Sequence, residues 1–166
     1  MAHVANYQER IRDVMSDLAA VADAGVPVEV RLAAVTNATV ALLRGATSAD
    51  VMLVNGERYC TIGSTSDDTA ELSAIQMRSG QGPCLDAAFD DKVVRVQDLS
   101  DEPQWPEFAT AALRHGIRSV MTFRLYRCHN RGGALNIYGF AAGAFNVDDE
   151  ALGAVLAAHA AILLTQ

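Results

Sequence analysis

The sequence predicts one α/β domain of the α+β type, built on a mostly antiparallel sheet with helices on both faces. Its 166 residues are close to the length of a single domain. Apolar residues make up 51% and charged residues 20%, as in a globular chain. The predicted elements follow the order α-α-β-β-α-β-α-β-β-α. Such a sheet has room for the terminal helices on one face and for a ligand cavity, under helices and loops, on the other.

The composition excludes several classes of function. The formal net charge of −7 repels a phosphate backbone, so we predict no direct nucleic-acid binding. Residues 1–6 lack the segments of a signal peptide, and the longest apolar stretch, residues 151–164, is too short to span a membrane. Cys60, Cys84 and Cys128 are odd in number and form no C-x-x-C pair. We therefore expect a cytoplasmic protein with free thiols, no membrane contact, no metal and no cofactor.

The first predicted helix, residues 6–24, is lined by apolar side chains at alternating steps of three and four. These are Val4, Tyr7, Ile11, Val14, Leu18 and Val21. The spacing is that of a coiled-coil seam, but it also suits packing on the domain's own sheet, and both interpretations remain open. We predict two parts: residues 1–25 as an N-terminal candidate dimerisation helix, and residues 26–166 as the main domain.

The next segments predict a helix and a hairpin. Pro27 suits the first position of a second helix, and Gly45 ends it. The buried stripe of this helix is predicted to be Leu32, Val35, Thr39, Leu42 and Leu43. Asn55-Gly56 then separates predicted strands at 49–54 and 57–64, because both positions tolerate the positive φ that a tight hairpin turn requires.

The middle of the chain alternates helices with one strand. Residues 67–78 are predicted to be helical, and the glycines and proline that follow break the helix. A short helical segment at 85–89 leads to a strand at 92–97. A helix at 103–115 follows and is closed by Gly116.

The second predicted hairpin joins strands at 117–127 and 133–140. One face of the first strand carries Ile117, Met121, Phe123 and Leu125. The other face carries Arg118, Val120, Thr122, Arg124 and Tyr126, so we expect it to be half exposed. Asn146 is predicted to cap the last helix, with Asp149 as its capping-box partner. The buried stripe of that helix is predicted to be Leu152, Val155, Leu156, Ile162 and Leu163.

Three motifs contain residues that are able to bind a ligand or react. Gly80-Gln81-Gly82 resembles the start of a dinucleotide loop, but Leu85 stands where a third glycine is needed. Cys84 follows a proline at a predicted helix start, which suits a redox or nucleophilic thiol, although a small buried apolar role is the commoner one. His159 lies on an apolar helical stripe, which is typical of a hydrogen-bonded core residue rather than a ligand.

The single tryptophan is the most informative aromatic residue. Trp105 lies between two prolines at the entry to a helix, three residues before Phe108. Large aromatic side chains on such a segment suit a pocket wall, and equally a plug that seals the sheet face.

Several motifs together resemble actinobacterial GAF domains, which often precede an ANTAR module, a helical RNA-binding antiterminator. The motifs lie within residues 28–164 and are 81–87 (QGPCLDA), 98–99 (DL), 105–108 (WPEF), 116–119 (GIRS), 133–138 (GALNIY) and 157–161 (AAHAA). The resemblance implies a six-stranded antiparallel sheet, a ligand cavity on one face and a homodimer formed through the terminal helices. It also implies a role in signal transduction and transcription control. RNA binding is not carried over, because the resemblance does not extend into an ANTAR module.

The leading hypothesis is a non-enzymatic sensor with no catalytic residues, which binds an unknown small molecule. The candidate pocket residues are Cys84, Asp86, Trp105, Phe108, Phe123 and Tyr138. One alternative is a thiol-dependent enzyme similar to free methionine sulfoxide reductase, which would use Cys84. Residues 98–119, however, lack the second cysteine that such turnover needs. The other alternative is a dimerisation module without a ligand, its cavity filled by Trp105 and Phe108.

Overall fold

The fold is described from a computed structural model for residues 2–23 and 25–165, with side chains from residue 6 onward. The helices are α1 (Ala2–Ala20), α2 (Val28–Leu42), α3 (Thr69–Ser79), α4 (Pro83–Asp86), α5 (Pro106–Arg114) and α6 (Val147–Leu164). The strands are β1 (Ser48–Asn55), β2 (Arg58–Ile62), β3 (Val93–Val96), β4 (Ser119–Cys128) and β5 (Arg131–Gly139). A π-helical turn (Ala87–Asp91) continues α4, and a 3-10 turn (Leu99–Asp101) precedes α5. The element order is the predicted one with α4 added, which lies where the short helical segment before the third strand was expected.

The strands form one antiparallel sheet in the order β2-β1-β5-β4-β3. The predicted hairpin between β1 and β2 is confirmed, but its turn is one residue further along the chain than predicted. Asn55 pairs with Arg58 as the last residue of β1, and Gly56 and Glu57 form the turn, with a φ of 61° at Gly56. The family resemblance implied a sixth strand, and this prediction is wrong, because the described residues form five strands. After β2 the chain turns at Gly63, whose φ is 65°, and bends directly into α3 instead of extending the sheet.

Helices α1, α2 and α6 cover one face of the sheet, which we call the helix face. Its core contains Leu32 and Val35 of α2 together with Leu156 of α6, and all three side chains are fully buried. Helix α6 packs closely on β4, since a Cβ atom at Gly153 would lie 2.6 Å from the Phe123 ring. The predicted capping box at Asn146 and Asp149 is present at the start of α6.

The first helix differs from its prediction. It runs from Ala2 to Ala20 rather than over residues 6–24, and residues 21–23 are no longer helical. The Val4 side chain and Ala24 lie outside the described residues. Of the predicted stripe, Leu18 is buried in the helix-face core and Val14 packs against it. The stripe therefore contacts the domain's own core along at least part of its length.

The predicted stripe of α6 is partly wrong. Leu156 and Leu163 are buried, but Val155 and Ile162 are 56% and 57% exposed. This helix is apolar on almost every side, so spacing alone did not distinguish the face that meets the sheet from the one that does not.

The other face of the sheet, which we call the site face, lies under α3, α4, α5 and the two short turns. The Thr122 side of β4 is buried in its middle and exposed towards its ends, because these elements bury Val120 and Thr122 completely, whereas Arg118 is exposed and Arg124 is half-buried. Tyr126 is also not on that side. A β-bulge between Arg124 and Tyr126 shifts the alternation by one residue, and Tyr126 packs on the helix face instead.

In the described parts of the chain, no helix combines the length and the apolar character needed to cross a bilayer.

Candidate functional site

Three polar side chains form a row across the middle of the site face. Asp50 of β1 lies opposite Asn136 of β5, and Asn136 lies opposite Thr122 of β4. Directly opposed residues share a face of the sheet, so the three side chains point into the same layer. All three are fully buried. A continuous polar row in a buried layer is uncommon, because buried polar groups are costly unless they are paired.

Asp50 and Asn136 are joined by a hydrogen bond. Asn136 Nδ2 donates to Asp50 Oδ1 at 2.8 Å. Burial raises the pKa of the Asp50 carboxyl from 3.8 to about 6, although the hydrogen bond from Asn136 and the nearby Thr69 hydroxyl act in the opposite direction. The second carboxyl oxygen, Oδ2, and the Asn136 Oδ1 atom are buried without a hydrogen-bond partner.

Gln76 and Cys84 lie over this row. Gln76 Oε1 accepts a hydrogen bond of 2.9 Å from the backbone N–H of Cys84, which ties α3 to α4, while Gln76 Nε2 is buried and unpaired. Gly82 permits this contact, because a Cβ atom there would overlap the Gln76 side chain. Burial raises the pKa of the Cys84 thiol to about 12, and the negative charge of Asp50 adds to the rise. Of the two roles that the sequence allowed, a buried Cys84 fits the small apolar one better than the reactive thiol, since desolvation outweighs any effect of a four-residue helix.

Tyr138 completes the group, two residues beyond Asn136 on the same face of β5. Its hydroxyl is buried and has no hydrogen-bond partner. Burial, together with Asp50 and Cys84, holds the pKa of this phenol well above its usual range. We call Asp50, Gln76, Thr122, Asn136 and Tyr138 the buried polar cluster. Each has one side-chain polar atom without a partner.

The aromatic candidates lie beside this cluster. Trp105 has a left-handed backbone with a φ of 50° and directly precedes Pro106, the first residue of α5. Its Nε1 atom donates a hydrogen bond of 2.9 Å to Asp86, and its ring meets Phe108 edge-on with centroids 6.4 Å apart. Burial raises the pKa of Asp86, although the Trp105 hydrogen bond opposes the shift. Trp105 and Phe108 pack in one apolar cluster with Tyr138.

The structure does not bring all six candidate pocket residues together. Cys84, Asp86, Trp105, Phe108 and Tyr138 belong to the site face or the elements that cover it. Phe123 lies on the helix face instead, against Gly153. A molecule held between the sheet and α3–α5 would therefore not touch Phe123.

A cleft of about 550 Å³ opens on the site face, and the residues that line it are not members of the buried polar cluster. It is lined by Val54, Met77, Leu85 and Phe89, among others. These four side chains also pack in the small apolar cluster that contains Cys84. The cleft therefore reaches the layer of side chains that separates the polar row from solvent at this end of the site.

The three cysteines are not arranged for thiol exchange. Cys60 lies opposite Leu53 and shares its face, whereas Cys84 packs with Met52, which points to the opposite side of the sheet. Cys128 lies at the far end of β4, opposite Arg131. Both Cys60 and Cys128 are exposed. Among the described residues, no group of three or more His, Cys, Asp or Glu side chains is placed to hold a metal ion.

His159 differs from its prediction as a hydrogen-bonded core residue, because its Nε2 atom is buried without a partner. The ring nitrogens of His115, in contrast, contact the carboxyl groups of Asp68 and Glu71 at the end of α5.

Four members of the buried polar cluster, Asp50, Gln76, Thr122 and Asn136, were not among the sequence candidates. The available signal was a polar residue inside an apolar strand, as with Asn136 between Leu135 and Ile137. In an alternating strand, that pattern normally indicates a solvent-facing side.

The sequence pattern of the GAF domain matches residues 26–165, which is most of the chain. The chain belongs to the GAF domain family. Other GAF domains share its fold. That of a phosphoenolpyruvate-protein phosphotransferase from Coxiella burnetii has a TM-score of 0.68 at 16% identity, over 96% of this chain and 93% of that one.

Two further solved structures are similar to this GAF domain. Free methionine-R-sulfoxide reductase from Neisseria meningitidis, solved with its substrate, has a TM-score of 0.70 at 17% identity, over 96% of this chain and 88% of that one. An N-acylhomoserine lactone-dependent LuxR family transcription factor from Burkholderia cenocepacia has a TM-score of 0.69 at 15% identity, over 92% of each chain. No protein of curated function matches the sequence.

The raised pKa of Asp50 predicts a pH dependence of stability. The pKa of Asp50 is about 6 in the folded protein and 3.8 for an ordinary aspartate, such as that of the unfolded chain. The folded state therefore binds the proton more tightly, and the stabilisation that comes from the bound proton is lost as pH rises through 6. As pH rises from 3 to 8, we expect the free energy of unfolding of Asp50→Asn to rise by about 3 kcal/mol relative to that of wild type. Cys84 and Tyr138 stay neutral over this range. Urea titrations of both proteins at five pH values measure the difference.

Asp98→Asn is the control, with the opposite sign. Arg118 and Ser100 lower the pKa of Asp98 to about 2, so its stabilisation is present above pH 4 and is lost below it. A constant difference between wild type and Asp50→Asn from pH 3 to pH 8 would contradict the buried, ionisable Asp50.

The thiols should divide into two classes. Cys60 and Cys128 are exposed, while Cys84 is buried with a pKa of about 12. At pH 8 we expect a disulfide reagent such as DTNB to modify two thiols rapidly in the native protein and the third only after denaturation. In Cys84→Ala the number of fast thiols stays at two. A third thiol reacting at the native rate of the other two would show that Cys84 is accessible.

Proposed function

We propose that this GAF domain is a sensor that binds a small polar molecule at the buried polar cluster. In this proposal the molecule enters the layer between the sheet and helices α3–α5, and its arrival alters the terminal helices. No catalytic residue is required, because the free energy of binding alone biases the conformation.

The observation that carries the proposal is the set of unpartnered polar atoms in one layer. Buried polar side chains nearly always have a hydrogen-bond partner, since an orphaned group costs about 1–3 kcal/mol. Here five side chains from β1, β4, β5 and α3 each have a free atom. A small molecule with both donors and acceptors would satisfy them, and an apolar one would not.

A ligand-free dimerisation module accounts for this arrangement less well. Trp105 and Phe108 are packed as core residues, which agrees with a filled interior. A purely structural interior, however, gains nothing from a buried carboxylate with a free oxygen, whereas apolar side chains of similar shape would be more stable there.

The enzymatic alternative is also less favoured. Attack on a sulfoxide requires a thiolate and a second thiol to release the product as a disulfide. Burial keeps the pKa of Cys84 near 12, and the sheet lies between Cys84 and Cys60. The similarity to the reductase from Neisseria meningitidis, at 17% identity, concerns the fold.

The sheet offers a direct mechanical route from the site to α6. Thr122 faces the site, and its neighbour Phe123 faces the helix side, where its ring touches Gly153. The contact at Gly153 has no spare volume, so a shift of β4 displaces the helix. The resemblance to actinobacterial GAF domains that precede ANTAR modules supports a role in transcription control.

Ligand binding is tested with Trp105 as the reporter. The fraction of a cell extract below about 1 kDa is expected to raise the melting temperature and change the Trp105 emission of wild type. A compound at 100 times its Kd stabilises by about 2.7 kcal/mol. Asn136→Leu should abolish both effects, whereas Asn37→Leu, the same change at an exposed position on α2, should retain them. The sensor proposal fails if wild type shows neither response.

We propose that the sensor is a homodimer in which α6 packs on a second copy. The exposed side of α6 carries an apolar stripe, namely Val147, Ala151, Ala154, Val155, Ala158 and Ile162. The alanines let two backbones approach closely, and the larger side chains fill the space between them. The stripe runs almost the full length of the helix, so the partner surface is long.

The dimer is tested by sedimentation equilibrium. We expect wild type to sediment as a dimer and Val155→Glu to sediment as a monomer, because the substitution buries a charge in the interface. Val30→Glu is the matched control, since Val30 is 50% exposed on α2 and lies outside the stripe. A monomeric wild type, or a dimer that Val155→Glu does not disturb, would refute the interface.

A further inference from the structure

The unpartnered atoms of the buried polar cluster are not chemically equivalent. Asp50 Oδ2 and Asn136 Oδ1 are free on side chains that lie opposite each other, and each of these atoms is a hydrogen-bond acceptor. Gln76 Nε2 is a donor, and it lies on α3 above the sheet. The hydroxyls of Thr122 and Tyr138 are able to play either role. The cluster therefore has an acceptor side on β1 and β5 and a donor on the covering helix.

The charge of the cluster is also one-sided. Asp50 is its only ionisable member with a charge near pH 7, since Tyr138 stays neutral. Cys84, which faces the cluster from α4, stays neutral as well. Arg124 is the basic residue of β4 on the same face, but its Nε atom donates to the Ala87 carbonyl instead. None of the ion pairs found within residues 2–23 and 25–165 includes Asp50.

We propose that the molecule bound at this site carries an amine, whose N–H groups donate to Asp50 Oδ2 and Asn136 Oδ1. An acceptor oxygen elsewhere on the same molecule takes the hydrogen bond from Gln76 Nε2. This inference rests on the proposed sensor function and names the class of ligand for the same site.

The physical reason is the cost of a buried carboxylate. An ionised carboxyl group in a low-dielectric layer is stabilised by a cation in contact with it, and it repels an anion at the same place. A protonated amine supplies both the charge and the hydrogen bonds that the free oxygens lack. An anionic metabolite would place a second negative charge beside the first, so the site selects against it.

Charge-sorted fractions of a cell extract serve as the probes. A strong cation exchanger at pH 3 retains amine-bearing small molecules, including zwitterions. An anion exchanger at pH 8 then separates the remaining acids from the neutral compounds. Each of the three fractions is added to the full-length protein at pH 7.5, and the melting temperature and Trp105 emission are recorded. The amine fraction is expected to stabilise wild type, and the acidic and neutral fractions are not.

Asp50→Asn tests the residue that the inference depends on. It keeps the shape of the side chain and removes the charge, and we expect it to weaken the response to the amine fraction at least tenfold. Thr122→Val is the matched control, since it removes a polar atom of the same row without changing the charge. It should keep the preference for amines, with a weaker response overall.

The outcomes separate the two proposals. Stabilisation by the acidic or neutral fraction alone overturns the amine inference and leaves the sensor function standing. A response to amines that Asp50→Asn does not reduce overturns the role of Asp50. If no fraction acts on wild type, the sensor function fails and the inference fails with it. The comparison of fractions on wild type decides the ligand class even where a variant does not fold.

Discussion

The hydrogen bond from Asn136 to Asp50 links β5, the central strand of the sheet, to its neighbour β1. It fixes one oxygen of a buried carboxyl group and leaves the other oxygen without a partner. Burial is the main cause of the raised pKa of both Cys84 and Tyr138, and the charge of Asp50 adds to the rise. The thiol and the phenol therefore stay neutral, which leaves hydrogen bonding as the chemistry of the site.

Local sequence signals predicted the fold well. Gly56 identified a hairpin because glycine accepts the positive φ that a tight turn requires, although the turn is formed by Gly56 and Glu57 rather than by Asn55 and Gly56. Asn146 and Asp149 identified the start of α6 because their reciprocal hydrogen bonds depend only on a spacing of three residues. These features are determined within a few residues, so a sequence contains all the information they need. The order of the elements followed from such signals.

The site was harder to predict because it depends on which surfaces are covered. Thr122 alternates with Met121 and Phe123, as a half-exposed strand would, and only the helices packed over it make its hydroxyl a buried group. Asp50 and Asn136 are 86 positions apart in sequence and meet through strand register. The bulge after Arg124 added a further error, since one extra residue moved Tyr126 to the other face. Trp105 and Phe108 were found because aromatic residues beside prolines are recognisable without tertiary information.

The layer that covers the site is made of short pieces, whereas its floor is a rigid sheet. Helix α4 has four residues, and the π-helical turn that follows it has five. Substitutions in these pieces would alter what covers the buried polar cluster while leaving the strand register intact, because no ladder hydrogen bond runs through them. The covering layer is therefore free to change in sequence while the sheet beneath it keeps the same buried carboxyl group.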